Sequence, residues 1–154
     1  MRKQIVLCII VCAISSCKIA APTFKNIGQW QVSKISGSEV VLSNSANFYN
    51  PNNIDGLKVN TVQIEVQTGG KKLGTISQSG TGITIPKMSD FSVPLSLTVN
   101  IQDLIGNIAD IISILSGRTI DLRVVGDVNV GYAVVSRSIR VDQVVPINIS
   151  DIKK

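Results

Sequence analysis

The sequence predicts a mainly β protein: an antiparallel β-sandwich of about seven strands, with one amphipathic α-helix inserted at about residues 101–116. Three observations in the 154 residues lead to this class. After residue 16, valine and isoleucine together number 36 against eight leucines, and β-branched side chains pack well on a pleated sheet. Apolar and polar residues alternate over Phe91–Val99 and again over much of Ile120–Val134. Groups of Gly, Asn, Ser and Pro separate these and other short apolar runs, as turns do in a sandwich.

Residues 1–16 are predicted to be a lipoprotein signal peptide. A basic pair, Arg2-Lys3, precedes the apolar run Ile5–Ile14. This run is shorter than the about 20 residues that a spanning helix needs, but it suits an export signal. The sequence Ile14-Ser15-Ser16-Cys17 resembles the lipobox of bacterial lipoproteins. The resemblance implies cleavage between Ser16 and Cys17, followed by acylation of Cys17.

Acyl chains on Cys17 would tether the mature chain to a membrane surface without spanning the membrane. On this interpretation residues 17–27 are a lipidated tether and residues 28–154 are the folded domain. The alternative is a plain export signal in which Cys17 is incidental. Lipoproteins sent to the cell surface often carry acidic residues after the cysteine, and Lys18–Thr23 has none. We therefore expect an outer-membrane lipoprotein of a bacterial envelope that faces the periplasm.

The composition excludes several kinds of chemistry. The chain has no histidine, and its three cysteines all lie within the first 17 residues. Ser-His-Asp and Cys-His catalysis, histidine-ligated metals and a disulfide framework in the body of the chain are therefore excluded. The net charge of +5 is too small to indicate a nucleic-acid partner. We predict no catalytic residue, no metal site and no cofactor.

Carboxylates do not cluster in the sequence. Glu39 and Glu65 are the only glutamates, so a hydrolase that works through paired carboxylates is the weakest functional hypothesis. The residues Asp121, Asp127 and Asp142 are spaced along predicted strands and lack the close spacing of a calcium loop. We interpret them as members of a solvated face.

The predicted strands follow in chain order: Trp30–Ile35, Glu39–Asn47, Leu57–Gln67, Leu73–Gln78, Phe91–Val99, Ile120–Val134 and Ile139–Ile149. A change of apolar phase in the third strand predicts a bulge near Asn60-Thr61. Pro94 cannot donate a ladder hydrogen bond, so its strand is expected at a sheet edge or with a bulge there. Trp30 is expected in the core rather than in a sugar-stacking platform with Tyr49.

The inserted helix is predicted from apolar residues at three- and four-residue spacing, namely Ile101, Leu104, Ile105, Ile108, Ile112 and Leu115. Asn100 can cap its start, and Gly117 can end it. We expect the helix to pack on one end or side of the sandwich. A helix on the membrane surface is the alternative, but the absence of basic residues in it speaks against contact with an anionic bilayer.

The order of the predicted strands, turns and helix resembles that of a known family. It begins with the strand and turn of Ala46–Asn52 and continues with the strand Val62–Val66 and a Gly-containing hairpin to Leu73–Ile76. The alternating strand, the Leu/Ile-rich helix and a long terminal strand complete the order. Over about residues 28–150 the chain resembles the late embryogenesis abundant type 2 family, also called the water-stress and hypersensitive-response domain. The resemblance implies an immunoglobulin- or fibronectin-III-like sandwich with one helix and a link to desiccation and stress tolerance.

The resemblance brings no catalytic set with it. Asn50, Pro51 and Asn52 are predicted to form a structural turn, because proline restricts φ and asparagine side chains bond nearby backbone groups. We therefore expect a non-enzymatic, lipid-anchored binding or structural module whose partner is an envelope protein, a glycan or a lipid. The alternative is binding or transfer of lipids or other hydrophobic ligands in the periplasm, which would need a groove beside residues 101–116.

Overall fold

The computed structural model describes residues 19–100, 102 and 119–148. Within them eight strands are formed: β1 Thr23–Ile27, β2 Gln31–Ser36, β3 Glu39–Asn50, β4 Lys58–Thr68, β5 Lys71–Ser79, β6 Ser89–Asn100, β7 Thr119–Tyr132 and β8 Val135–Asn148. All pairings between them are antiparallel, in two sheets that pack as a sandwich. The predicted mainly β sandwich is thus confirmed, with eight strands where about seven were expected. The predicted signal peptide, Cys17 and, apart from Gln102, the predicted helix lie outside the described residues.

β3 is the central strand of the first sheet. It pairs along its whole length with β6, while β1 and β2 pair with its other edge, end to end. The second sheet has the order β5-β4-β7-β8. β1 lies within residues 17–27, the span interpreted as a tether, so pairing begins five residues before residue 28. Its sequence, with only Phe24 and Ile27 apolar, has no alternation that would predict a strand.

Three local predictions are confirmed. The register of β4 against β7 shifts between Val59 and Thr61, which is the predicted bulge. Pro94 lies in β6, which among the described strands pairs only with β3, so the proline is on an edge strand. Trp30 is buried in the core, at 5% exposure. Asn100 Oδ1 also accepts a hydrogen bond of 2.9 Å from the backbone N–H of Gln102, as a helix-capping asparagine does.

The core lies between the inward faces of the two sheets. Phe48 is fully buried and stacks on Phe91, with ring centroids 5.2 Å apart. One side of the sandwich is closed between β1 and β8, where Gln143 Oε1 accepts a hydrogen bond of 2.7 Å from the N–H of Ile27. On the other side, between β5 and β6, the Gln78 amide donates to the carbonyl oxygen of Pro94 at 3.3 Å. Apolar burial and these two hydrogen bonds together fix the position of one sheet on the other.

Gly126 marks the closest approach of β7 to β4. A Cβ placed on this residue would overlap the carbonyl oxygen of Gln63 and the Cα of Ile64. Because both are backbone atoms of a paired strand, they cannot move aside as a side chain would. We expect Gly126→Ala to lower the free energy of unfolding by about 3 kcal/mol. Urea unfolding of the variant and the wild type measures this difference.

Gly37→Ala is the matched control, because a Cβ at Gly37 meets no atom within 4 Å. Its cost should be limited to the strain of alanine at a φ of 59°, about 1 kcal/mol. Equal unfolding midpoints for the two variants would contradict the close approach of β7 to β4.

Candidate functional site

Asn50 is the one polar side chain that the described residues bury completely. It ends β3, and its amide nitrogen donates to the carbonyl oxygen of Pro86 at 2.7 Å. Its Oδ1 accepts from the backbone N–H of Asn52 at 3.0 Å and from the Asn52 side-chain amide at 2.8 Å. Both ends of the buried amide are therefore satisfied, and they join the turn after β3 to the loop before β6.

Asn52 attaches the first described residues to the domain. Its Oδ1 accepts from the backbone N–H of Ala20 at 2.9 Å, and its Nδ2 donates to the carbonyl oxygen of Ala20, also at 2.9 Å. The side chain thus bonds Ala20 much as a paired strand would. Ile19, next to it, packs against the core. The Asn52 carbonyl oxygen also accepts from the N–H of Met88 at 3.1 Å.

These residues lie at one end of the sandwich, which we call the N-terminal end. It comprises residues 19–23, 50–58, 80–89 and 131–136, where β1, β4, β6 and β8 begin and β3, β5 and β7 end or approach their ends. Six large apolar side chains are exposed among the described residues. Four of the six belong to this end: Met88, Tyr132, Val134 and Val135. The exposed apolar surface is therefore concentrated where the chain enters the domain.

Two exposed residues at this end have a backbone conformation that is rare outside glycine. Ala133 and Met88 have φ values of 51° and 44°, and they are the non-glycine residues with positive φ among those described. Such a conformation costs an alanine about 1–2 kcal/mol and is normally given to Gly or Asn. The hairpin between β7 and β8 consists of Ala133-Val134, with Val134 fully exposed. A two-residue hairpin would ordinarily use Asn-Gly or Asp-Gly, so this turn is more apolar than its geometry requires.

The charges at the N-terminal end are partly paired. Lys87 Nζ lies 2.7 Å from Asp55 Oδ2, and Lys25 pairs with Asp90 at the start of β6. Lys58 and Arg137 are exposed beside the hairpin, opposite Gly131 and Val130 in the ladder, and neither forms an ion pair within the described residues. The hairpin is therefore flanked by two cations.

The outer face of the second sheet carries ion pairs. Arg123 binds both carboxylate oxygens of Asp142, at 3.0 and 2.8 Å, and Arg140 lies 3.0 Å from Asp127. The hydrogen bonds from Arg123 hold the pKa of Asp142 below its usual value. Desolvation opposes this shift in part, and the positive charges of Arg123 and Arg140 add to it. This polar face matches the solvated face expected for the aspartates. No group of three or more potential metal ligands occurs within the residues described.

A groove of about 410 Å³ lies where β1 gives way to β2. Its lining is polar and includes Gly28, Gln29 and Ser43. Asn44, which also lines it, donates to the carbonyl oxygen of Gly28 at 3.0 Å and accepts from the N–H of Ser45 at 2.6 Å. The Asn44 side chain therefore stabilises the chain at the point where β1 has ended and β2 has not yet begun.

The structure brings Asn50, Pro51 and Asn52 together with the start of the described chain, and Cys17 lies outside the described residues. Sequence reasoning missed the bond from Asn52 to Ala20 and the exposed hairpin at Ala133-Val134. The hairpin was hidden inside one long predicted strand. It occupies the last two positions of that strand, and Ala133-Val134 contains no Gly, Pro, Asn, Asp or Ser to mark a turn. In the described part of the chain, no helix has the length and apolar character needed to cross a bilayer.

A family model described as late embryogenesis abundant protein matches residues 46–144, more than half of the chain. The chain belongs to that family. The match begins in β3, takes in the Asn50-Pro51-Asn52 turn and ends in β8, so the predicted resemblance is confirmed. No curated protein sequence matches the chain.

Two solved structures share the fold. A crystal structure of a protein from Archaeoglobus fulgidus has a TM-score of 0.58 and 13% sequence identity, and the alignment covers 82% of this chain and 97% of that one. A solution structure of a protein from Arabidopsis thaliana also has a TM-score of 0.58, with 12% identity over 88% of both chains. At these identities the likeness is one of fold.

The buried turn yields a prediction about stability. We expect Asn50→Ala to lower the free energy of unfolding by about 1–3 kcal/mol, because the carbonyl oxygen of Pro86 and the N–H of Asn52 lose their partner. Asn52→Ala should cost less, about 1 kcal/mol, and should speed hydrogen exchange at the Ala20 amide. Urea unfolding and amide exchange measure these effects. Asn53→Ala, at the exposed next position, is the control and should change neither.

The ion pairs yield a prediction about pH. In the folded state the pKa of Asp142 is lowered, so its contribution to stability is complete above the unfolded pKa and is lost as the pH falls through the folded pKa. Arg123→Gln should return the pKa of Asp142 upward, since the main cause of the shift is removed. A carboxyl-carbon NMR titration measures the change. An unaltered titration of Asp142 in the variant would contradict the assigned cause.

Proposed function

We propose that the protein is a non-enzymatic, lipid-anchored module of the bacterial envelope, attached to the outer membrane by acyl chains on Cys17 and facing the periplasm. In this role it binds an envelope protein, a glycan or a lipid, or it acts as a structural element under stress or desiccation. Membership in the late embryogenesis abundant family supports a stress-related structural or binding module.

The observation that carries the proposal is the attachment of the chain directly after the lipobox. Ala20 is bonded through both its backbone N–H and its carbonyl oxygen to Asn52, and Ile19 packs on the core. Only two residues, Lys18 and Ile19, lie between Cys17 and the bonded Ala20. An anchor at Cys17 would therefore hold this end of the sandwich, and not a distant flexible tether, at the membrane.

The use of the polar residues favours a structural or binding role over catalysis. The buried amide of Asn50 forms its hydrogen bonds with Pro86 and with the turn at Asn52. The carboxylates of Asp127 and Asp142 are bound by arginines on a solvated sheet face. Among described residues β2 offers an open strand edge for a partner: it pairs with β3 on one side, and five of its six residues are exposed. A partner strand could add there through main-chain hydrogen bonds.

The alternative, binding or transfer of hydrophobic ligands, requires an apolar groove beside residues 101–116. That segment lies outside the described residues, and the groove described at the break between β1 and β2 is polar. Native mass spectrometry of the purified protein distinguishes the two roles, since a transfer protein should carry bound lipid that is not covalently attached.

Anchoring is tested by metabolic labelling with palmitate in a bacterial host. We expect wild-type protein to incorporate the label and to sediment with membranes, while Cys17→Ser loses the label, because a serine hydroxyl does not replace the thiol as the acyl acceptor. Gel fluorography of a clickable palmitate analogue measures incorporation, and fractionation measures the location.

Cys12→Ser is the matched control: it removes a thiol five residues away but leaves the lipobox intact, so it should be labelled like the wild type. Equal labelling of wild type and Cys17→Ser would refute the anchor. It would leave the family and the fold untouched, since both rest on other residues.

A further inference from the structure

We infer that the β7–β8 hairpin at Tyr132–Val135 is a second membrane contact, which inserts its apolar tip into the lipid surface to which Cys17 is anchored. The inference rests on the proposed lipid anchor. It adds that the domain is held against the bilayer in a defined orientation, with its N-terminal end down.

Cys17 lies within a short reach of the folded domain. Ala20 is bonded to Asn52 through its N–H and its carbonyl oxygen, and three residues of extended chain span at most about 11 Å. An acylated Cys17 at the bilayer surface therefore keeps the N-terminal end of the sandwich close to the headgroups. Gly56, four residues after Asn52, lies against the Tyr132 ring, so the hairpin belongs to this same end.

The turn between β7 and β8 presents apolar side chains to its surroundings. Val134 is 100% exposed, and Tyr132 and Val135 beside it are also exposed. Ala133 has a φ of 51°, where glycine or asparagine would relieve strain, yet the turn contains neither. An apolar tip is a disadvantage in water and an advantage in a lipid interface. Met88, the other exposed apolar residue with positive φ, is bonded to the carbonyl oxygen of Asn52 and adds to the apolar surface of this end.

Two cations lie beside the hairpin. Lys58 and Arg137 flank the hairpin and form no ion pair within the part of the chain that the structure describes. Each cation near an anionic lipid surface favours contact by about fivefold. The hairpin has a tyrosine at the base of an apolar tip, with cations around it. This arrangement suits a water–lipid interface. A lipid surface with anionic headgroups is therefore the partner that fits.

The test uses the full chain, purified in detergent and reconstituted into vesicles of equal parts phosphatidylglycerol and phosphatidylcholine. A polarity-sensitive fluorescent amino acid is encoded either at Ser136, beside the hairpin, or at Ser36, the last residue of β2 at the opposite end of the sandwich. We expect the probe at residue 136 to be quenched by lipid-attached nitroxides and protected from aqueous iodide. The probe at residue 36 should behave in the opposite way.

Substitutions then separate the contributions. With the probe at residue 136, Val134→Asp should lower the ratio of lipid-contacting to free domain by at least about tenfold, because an apolar contact becomes a charged one. Lys58→Gln and Arg137→Gln should each lower it about fivefold, and added salt should remove this difference. Val144→Asp is the matched control, since Val144 is an exposed valine on β8, the strand that follows the hairpin, and lies away from the N-terminal end. It should leave the ratio unchanged.

A probe at residue 136 that iodide quenches as readily as the probe at residue 36 would overturn the inference. So would a protected probe that lipid nitroxides do not reach, because that result would assign the hairpin to a second copy of the chain. Mass spectrometry of the same preparation reads acylation of Cys17 separately. Missing acylation contradicts the proposed anchor, whereas a water-exposed hairpin contradicts only the second contact.

Discussion

Burial of the two inward sheet faces against each other is the interaction on which the rest of the structure depends. The side chains that meet there are almost all valine, isoleucine, leucine and phenylalanine, and many have no exposed surface. The strands β3, β4, β6 and β7 each contribute one apolar face to this core, and their outer faces carry most of their polar residues. Most apolar residues of the alternating strands lie in this core. A large apolar side chain that is exposed instead therefore needs a separate explanation.

Asn50 is the exception inside this core, and its position explains why the turn after β3 is asparagine-rich. A buried amide without hydrogen-bond partners would destabilise the fold by about the free energy of its desolvation. Both its nitrogen and its oxygen therefore need partners. The partners it finds belong to the loop before β6 and to Asn52, and Asn52 in turn holds Ala20 and Met88. One buried side chain thus organises the end of the sandwich at which the chain enters, and with it the apolar surface proposed to meet the membrane.

Much of the fold was predictable because strand periodicity is local. The alternation in Phe91–Val99 predicted β6 nearly to its ends, and the change of phase around Asn60 predicted the bulge. β1 was not predictable, since Thr23–Ile27 has no alternation and becomes a strand only through its pairing with the end of β3. The β7–β8 hairpin was not predictable either: Ala133-Val134 has no turn residue, and its positive φ is imposed by the register of the two long strands around it.

The sequence by itself determined the class of the fold and the family resemblance, and it supplied the lipobox-like pattern before Cys17 from which the anchor is proposed, because each of these rests on residues close together in the chain. It also excluded histidine and disulfide chemistry. Tertiary structure alone decided that Asn52 bonds a residue 32 positions earlier, that Lys58 and Arg137 flank one hairpin, and that Met88 and Val134 are exposed at the same end. Those relations join segments far apart in sequence, and only the pairing of strands and the burial of their inner faces bring such segments together.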